Sequence, residues 1–204
     1  MTLSHDFSGT GPAVLLLHSS AGDRRMWDPQ VPALTAAGFR AVRCDLPGYG
    51  DSPVPDRPFD TAAEVAGVLD ELGIEQAAVV GASYGGAVSL EFAARWPDRV
   101  TALALLCSAI AGLSPGPQLR AFWEQEDALL EAGDVPAATE LNVQTWLGPR
   151  ADERTRDLVR RMQRHSFEVQ LAAGDTEEIH TPYEVTAIRA RTLLVTGAHD
   201  FPDF

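Results

Sequence analysis

Short apolar runs alternate along the chain with longer stretches in which apolar residues recur at helical spacing. The runs predict strands at residues 13–18, 39–44, 77–80, 102–107 and 191–196. Apolar runs of this length are typical of strands that are buried on both faces of a sheet. Because such strands alternate with helical segments, the pattern predicts an α/β protein with a mostly parallel sheet and helices on both faces.

Helices are predicted in the intervals between the first four strands. The first is expected to begin at Asp28 and Pro29 and to end near Gly38. The second begins with Thr61 and Glu64, which form a capping-box pattern ahead of apolar residues at helical spacing. A third helix is expected after residue 83, and it must end before the proline at residue 97.

The alternation of strands and helices stops after about residue 114. Residues 115–184 contain no convincing strand, but their apolar and charged residues are spaced for several helices, which predicts an inserted helical cap. Residues 1–114 are then the N-terminal part of the core, and residues 185–204 return to it and leave it incomplete.

Composition narrows the range of partners. A hydrophobic content of 45% with 22% charged residues is ordinary for a soluble globular protein. The net charge of −13 argues against nucleic acid or an anionic membrane as a partner, so we expect a small-molecule substrate. Cys44 and Cys107 each end an apolar run and are predicted to be buried, reduced thiols. With no basic leader and no apolar run of membrane-spanning length, a cytoplasmic location is expected.

The segment Gly81-Ala82-Ser83-Tyr84-Gly85 matches the G-x-S-x-G pattern of a nucleophile elbow. A predicted strand precedes it and a predicted helix follows it, as that motif requires. A serine on such a sharp turn needs small neighbours, and the helix N-terminus favours a developing oxyanion. The alternative is a chance glycine-rich turn, which the flanking strand and helix disfavour.

Two further segments resemble parts of the α/β-hydrolase family. The strand that ends at His18 runs into small residues that resemble the family's oxyanion loop, with Ser19 where glycine is usual. Residues 45–52 resemble a conserved turn of the family, which implies a structural role. The resemblance implies that the backbone N–H groups of Ser20 and Tyr84 hold the oxyanion. It favours a packed structural role for His18 over that of a catalytic base.

The resemblance extends to the last predicted strand. The Gly-Ala-His-Asp run that ends at Asp200 resembles the position of the triad acid, and it follows Ser83 in the family's chain order. The family carries its histidine after one further strand, and no histidine of this chain occupies that position. The five histidines are His5, His18, His165, His180 and His199. We therefore expect a C-terminally truncated hydrolase, without the last strand, the final helix or the catalytic histidine, and with impaired activity.

The serine at the elbow argues against the haloalkane dehalogenases and epoxide hydrolases, which carry aspartate there, and against the dienelactone hydrolases, which carry cysteine. The resemblance favours esterases and 3-oxoadipate enol-lactonase-like proteins, and it implies no cofactor and no metal. One alternative is a non-catalytic small-molecule binding protein, or an inactive fragment with the same fold. Another is complementation by a separate polypeptide that supplies the histidine.

The cap and the last strand leave three further questions open. Aromatic residues of the cap, such as Trp123 and Trp146, either line a substrate pocket or pack against one another. The arginines of residues 150–164 either steer an anionic substrate or form i,i+4 ion pairs on a solvated helix. The last strand is predicted to be an open edge, which favours homo-oligomers or aggregation.

Overall fold

The computed structural model describes residues 2–110, 114–174 and 176–203 of the chain. In this part of the chain, six strands form one sheet in the order β1-β3-β2-β4-β5-β6. They are β1 (His5–Ser8), β2 (Ala13–Leu17), β3 (Arg40–Cys44), β4 (Ala77–Ala82), β5 (Val100–Leu106) and β6 (Arg191–Val195). The pair β1–β3 is antiparallel and the other four pairs are parallel, which confirms the predicted α/β class.

Strand β1 is absent from the sequence prediction. Its four residues, His-Asp-Phe-Ser, contain no apolar run, and Phe7 is half exposed. The strand is held by its partner, because Phe7 lies opposite Val42 and Ser8 opposite Ala41 in β3. A strand that depends on pairing rather than on its own pattern cannot be found by apolar periodicity.

The helices are α1 (Val31–Ala36), α2 (Thr61–Glu71), α3 (Tyr84–Arg95), α4 (Pro117–Glu131), α5 (Val135–Trp146) and α6 (Glu153–Ala172). Two predicted starts were wrong. The first helix begins at Val31 rather than at Asp28, and a short 3-10 turn precedes it. In α2 the capping residue is Asp60, whose side chain accepts a hydrogen bond from the Ala63 N–H at 2.8 Å.

Helices cover both faces of the sheet. On one face, Leu15 and Leu17 of β2 pack with Val65 of α2 and Phe92 of α3 in the larger cluster of buried residues. On the other face, Val14 and Leu16 join a smaller cluster with Trp27, against which residues of α1 pack. Successive residues of β2 therefore point into two cores, and all five of them are buried.

The three helices α4, α5 and α6 lie between β5 and β6 in the chain and pack against one another. The Phe122 ring of α4 packs edge-on against the Trp146 ring of α5, with their centroids 4.9 Å apart. The Arg160 side chain of α6 donates a hydrogen bond to the Glu140 carboxylate of α5. These helices occupy residues 117–172, within the predicted insertion, although the domain boundaries themselves stay a prediction. No helix in the described ranges is long and apolar enough to cross a membrane.

Strand β6 differs from the rest of the sheet. It pairs with β5 along five residues, and among the described residues it has no second neighbour. All five of its residues are exposed, including Leu194, which is 70% exposed. The predicted open edge is therefore present in the described part of the sheet.

Candidate active site

Ser83 occupies the junction between β4 and α3 in a backbone conformation that serine rarely adopts. Its φ is 49° and its ψ is −112°. The Ser83 N–H donates to the carbonyl oxygen of Leu106 at 3.0 Å, while its own carbonyl accepts from Gly86 at 2.9 Å and from Ala109 at 3.2 Å. Neighbours on both sides therefore hold the strained residue in place. The sharp strand-to-helix turn expected from the sequence is present.

The glycines around Ser83 are required by close backbone approaches. A Cβ atom at Gly81 or at Gly85 would lie closer than 3.0 Å to a backbone carbonyl, that of Gly85 or that of Leu17 respectively. A Cβ at Gly86 would meet the side chain of Ser108 just as closely. Any larger residue at these positions must therefore displace the elbow or the strand beneath it.

A cavity of about 820 Å³ opens above this turn. Ser20, Ser83 and Tyr84 all line it, so the structure brings together three of the four residues that the sequence assigned to the site. Ser20 comes from the loop after β2 and Tyr84 is the first residue of α3. Their roles as oxyanion donors remain a prediction, and both residues line the same cavity as Ser83.

His18 is a buried structural residue. Its Nε2 accepts a hydrogen bond from the Leu46 N–H at 2.8 Å, so the ring proton lies on Nδ1, which donates to the Ser19 carbonyl at 2.8 Å. Burial lowers the pKa of His18, partly opposed by the hydrogen bond to Ser19 and by Asp45 and Asp23. Because both ring nitrogens are engaged, His18 has no nitrogen left to accept a proton from Ser83.

Among the described residues, none of the remaining histidines is hydrogen-bonded to Ser83 either. His5 donates to the Leu3 carbonyl at 2.8 Å, and His165 donates to the Gly50 carbonyl at 2.9 Å. None of the five histidines is among the described residues that line the cavity. Nor do the described residues contain a group of three His, Cys, Asp or Glu side chains gathered for a metal ion.

Asp200 follows β6 but does not line the cavity in the described part of the chain. Its Oδ1 accepts a hydrogen bond from the Phe201 N–H at 3.1 Å, and its carboxylate lies beside the thiol of Cys107. Burial and, next, the contact with Asp200 raise the pKa of Cys107 to about 11. Asp203 lines the cavity instead, and its carboxylate accepts the Gly116 N–H at 2.5 Å. The role of Asp200 as the acid stays a prediction.

Tyr84 is held by a carboxylate that the sequence did not single out. The Tyr84 hydroxyl donates to Glu178 Oε1 at 3.0 Å, and the Thr61 hydroxyl donates to the same oxygen. Glu178 is placed by backbone pairing with Phe59, since the Ile179 N–H donates to the Phe59 carbonyl at 2.6 Å. Burial and then Glu178 raise the pKa of Tyr84, which keeps the phenol protonated. Glu178 lies 94 positions after Tyr84, so no local pattern connects the two.

Glu126 lines the cavity and was also missed by the sequence interpretation. It lies on α4, and its Oε1 accepts a hydrogen bond from the Asn142 amide. Burial raises the pKa of Glu126, and the bond from Asn142 opposes that shift. A signal was available, because Leu119, Trp123 and Glu126 are spaced by four and then three residues and so share one face of the helix.

The described residues of the cap show where its aromatic and arginine side chains lie. Trp123 and Trp146 line the cavity, whereas Phe122 and Phe167 are buried in packing. In α6, the Arg160 side chain donates hydrogen bonds to the carboxylates of Glu140 and Asp157. Arg164 donates to the carboxylate of Glu168 in the same way. No arginine is among the described residues that line the cavity. In the turn of residues 45–52 the Asp51 N–H donates to Asp45 Oδ2 at 2.9 Å, and Tyr49 of this turn contributes to the cavity wall.

Comparison with known proteins decides the family. A family model for the alpha/beta hydrolase fold matches residues 12–133, which include the elbow and the oxyanion loop. The chain belongs to the α/β-hydrolase fold family. Membership agrees with the sheet order and with the strained serine at the end of β4.

Curated relatives of this α/β-hydrolase are named as epoxide hydrolases. Epoxide hydrolase 3 of Siraitia grosvenorii is 41% identical over 100 residues, which are 47% of this chain and 32% of that protein. Epoxide hydrolase B of Mycobacterium tuberculosis is 39% identical over 109 residues, which are 51% of this chain and 29% of that protein. The matches thus span about a third of the length of these relatives.

Solved structures share the fold over nearly the whole chain. A hydrolase from Pseudomonas aeruginosa PA01 aligns with a TM-score of 0.73 at 29% identity, covering 96% of this chain and 76% of that one. The enol-lactonase from Burkholderia xenovorans LB400 aligns with a TM-score of 0.70 at 24% identity, covering 97% and 88%. The second comparison shows the shared fold alone.

Proposed function

We propose that this α/β-hydrolase acts on small esters, lactones or related carbonyl compounds, with Ser83 as its nucleophile. The observation that carries the proposal is the strained Ser83, which lines one cavity together with Ser20 and Tyr84. A serine in left-handed geometry at a helix N-terminus is favoured only where the surrounding structure enforces it, which is typical of a functional position.

The proposed reaction is acyl transfer to serine. The Ser83 oxygen attacks the carbonyl carbon of the substrate, and the N–H groups of Tyr84 and Ser20 donate to the oxyanion that forms. The C–O bond to the leaving alcohol breaks, and the alcohol departs with a proton. Water then attacks the serine ester, which releases the acid and restores the hydroxyl group.

Both steps need a base that accepts and returns a proton. None of the five histidines is among the described residues that line the cavity, and Asp200 is proposed to orient such a base rather than to replace it. In a serine protease, loss of the triad base lowers turnover by about a million-fold. We therefore expect slow turnover from these 204 residues when no base is supplied.

Ester or lactone hydrolysis fits Ser83 better than the chemistry named in the curated relatives. A serine oxygen that opened an epoxide would form an ether, which has no carbonyl for water to attack. A serine oxygen that attacks an ester forms another ester, which water can hydrolyse. The elbow residue therefore favours carbonyl substrates even though the relatives are called epoxide hydrolases.

A non-catalytic binding protein is the competing proposal, since a cavity of about 820 Å³ holds a small molecule with or without turnover. The two proposals differ in whether Ser83 forms a covalent bond. They agree that the cavity is the ligand site.

Imidazole supplied in solution separates the two. Hydrolysis of p-nitrophenyl butyrate is measured with and without imidazole for the wild type, Ser83→Ala and Ser114→Ala. Ser114 is the matched control because it lines the same cavity. We expect imidazole to raise the wild-type and Ser114→Ala rates above the protein-free background, and the Ser83→Ala rate to stay at that background. Equal stimulation of Ser83→Ala, or no stimulation of any protein, would contradict the proposed function.

A further inference from the structure

The charged side chains among the described residues of the cavity wall are all acidic. Glu126 and Asp203 line the cavity, while no arginine, lysine or histidine does so among its described lining residues. An anionic substrate would therefore approach two carboxylates without a compensating cation. The net charge of the whole chain, −13, acts in the same direction and raises the local concentration of cations.

Glu126 is fixed in position rather than freely solvated. The Asn142 amide nitrogen donates to Glu126 Oε1, and Asn142, which lies on α5, is 3% exposed. The Asn142 oxygen in turn accepts a hydrogen bond from the Trp146 indole nitrogen at 3.0 Å. A chain of two hydrogen bonds thus links the carboxylate to an aromatic ring of the same wall.

The other oxygen of Glu126 is left for a ligand. Among the described residues, Oε2 accepts no hydrogen bond, and no cation lies within ion-pair distance of the carboxylate. By contrast, Glu91 and Glu140 each pair with an arginine. A positive group bound at this half-buried carboxylate, in the wall of a cavity that contains the candidate nucleophile, would offset the cost of its desolvation.

Aromatic rings complete the environment. Trp123, Trp146, Tyr49 and Tyr84 are all among the residues that line the same cavity. Aromatic faces attract ammonium groups through the negative face of the ring quadrupole, and more strongly where water is excluded. Rings beside a carboxylate form an environment that suits a bulky, weakly hydrated cation.

We infer that the cavity selects substrates whose acyl or alcohol part carries a quaternary or protonated ammonium group, with Glu126 as the residue that sets this preference. The inference rests on the proposed function for the turnover of such substrates. Recognition of the cation by the cavity requires only that the cavity bind a ligand.

Binding is therefore measured separately from turnover. Isothermal titration calorimetry compares choline with 3,3-dimethylbutan-1-ol, which has the same shape and no charge. We expect choline to bind about tenfold more tightly to the wild type. This comparison needs no variant, so it stands even if a substitution prevents folding. Equal affinities, or tighter binding of the neutral alcohol, would overturn the inference.

The variants assign the preference to Glu126. Glu126→Gln keeps the size and polarity of the side chain and removes its charge, and we expect it to abolish the preference for choline. Glu124→Gln makes the same change two residues away on an exposed position of α4, and we expect the preference to persist. If Glu126→Gln retained the preference, or if both variants lost it, Glu126 would not be the residue responsible.

A turnover measurement then distinguishes this inference from the proposed function. In the presence of imidazole, we expect Glu126→Gln to lower the ratio of butyrylcholine to p-nitrophenyl butyrate turnover about tenfold, and Glu124→Gln to leave that ratio unchanged. An unchanged ratio in Glu126→Gln, with turnover of both esters lost together, would indicate that Glu126 is a base for Ser83 and would overturn the specificity role. Failure of Ser83-dependent turnover with both esters, with choline binding intact, would contradict only the proposed function.

Discussion

Strands β4 and β6 each lead to one of the predicted catalytic residues, Ser83 and Asp200. Strand β4 lies between β2 and β5, with Val79 buried in the core. Strand β6 pairs with β5 alone among the described residues, and its Val195 is 43% exposed. Both strands are apolar and of similar length, yet one is enclosed and the other lies at an edge.

The difference shows that Ser83 and Asp200 are not held equally firmly by their surroundings. Ser83 is restrained by backbone hydrogen bonds to Leu106, Gly86 and Ala109, and small neighbours are required on both sides of it. Asp200 is restrained by local bonds within its own turn and by contact with Cys107. The geometry of Ser83 is thus a property of the core, whereas that of Asp200 depends on one strand pair.

The largest expected effect concerns the turn that follows the enclosed strand β4. Gly85→Ala places a Cβ closer than 3.0 Å to the backbone carbonyl of Leu17, so we expect it to lower the free energy of unfolding by about 3 kcal/mol. Gly67→Ala is the matched control, since it is also helical and has nothing within 4 Å of the added atom. It should stabilise the protein by about 0.5–1 kcal/mol. Urea unfolding measures the free energy of unfolding of both variants. A Gly85→Ala protein as stable as the wild type would contradict the close backbone packing around the elbow.

The same substitution in the two strands tests the comparison directly. Val79→Ala removes buried methyl groups and leaves a cavity, so we expect a loss of about 2 kcal/mol in the free energy of unfolding. Val195→Ala removes exposed methyl groups and should change it by less than about 0.5 kcal/mol. Chemical denaturation of the two variants checks the difference. Equal losses would mean that β6 is covered in solution, for instance by self-association.

A smaller effect is expected from pH. Burial holds the pKa of His18 below its ordinary value of 6.5, so the unfolded chain takes up this proton first as the pH falls. Neutral His18 therefore makes its full contribution to the free energy of unfolding above about pH 6.5. Below that pH the contribution falls, by up to about 1.4 kcal/mol per pH unit. The difference in unfolding free energy between the wild type and His18→Gln should shrink below that pH. A pH-independent difference would show that His18 titrates normally.

Much of the structure around Ser83 was predictable from the sequence, because the residues that define it lie close together in the chain. The strand before Ser83, the helix after it and the glycines beside it lie within about ten residues, and the family match of residues 12–133 contains them. Glu178 and Tyr84 meet only through the fold, as do Asn142 and Glu126 across two helices. Strand β1 also escaped prediction, because pairing with β3 rather than an apolar run defines it.

The most direct measurement of the central claim is mapping of covalent labelling. The protein is incubated with an alkyl fluorophosphonate, whose phosphorus bonds to a nucleophilic serine oxygen with loss of fluoride, in the presence of imidazole. Peptide mass spectrometry then locates the adduct. The account predicts a single adduct on Ser83 that is absent from Ser83→Ala and unchanged in Ser114→Ala. An unlabelled Ser83, or an adduct confined to another serine, would contradict it.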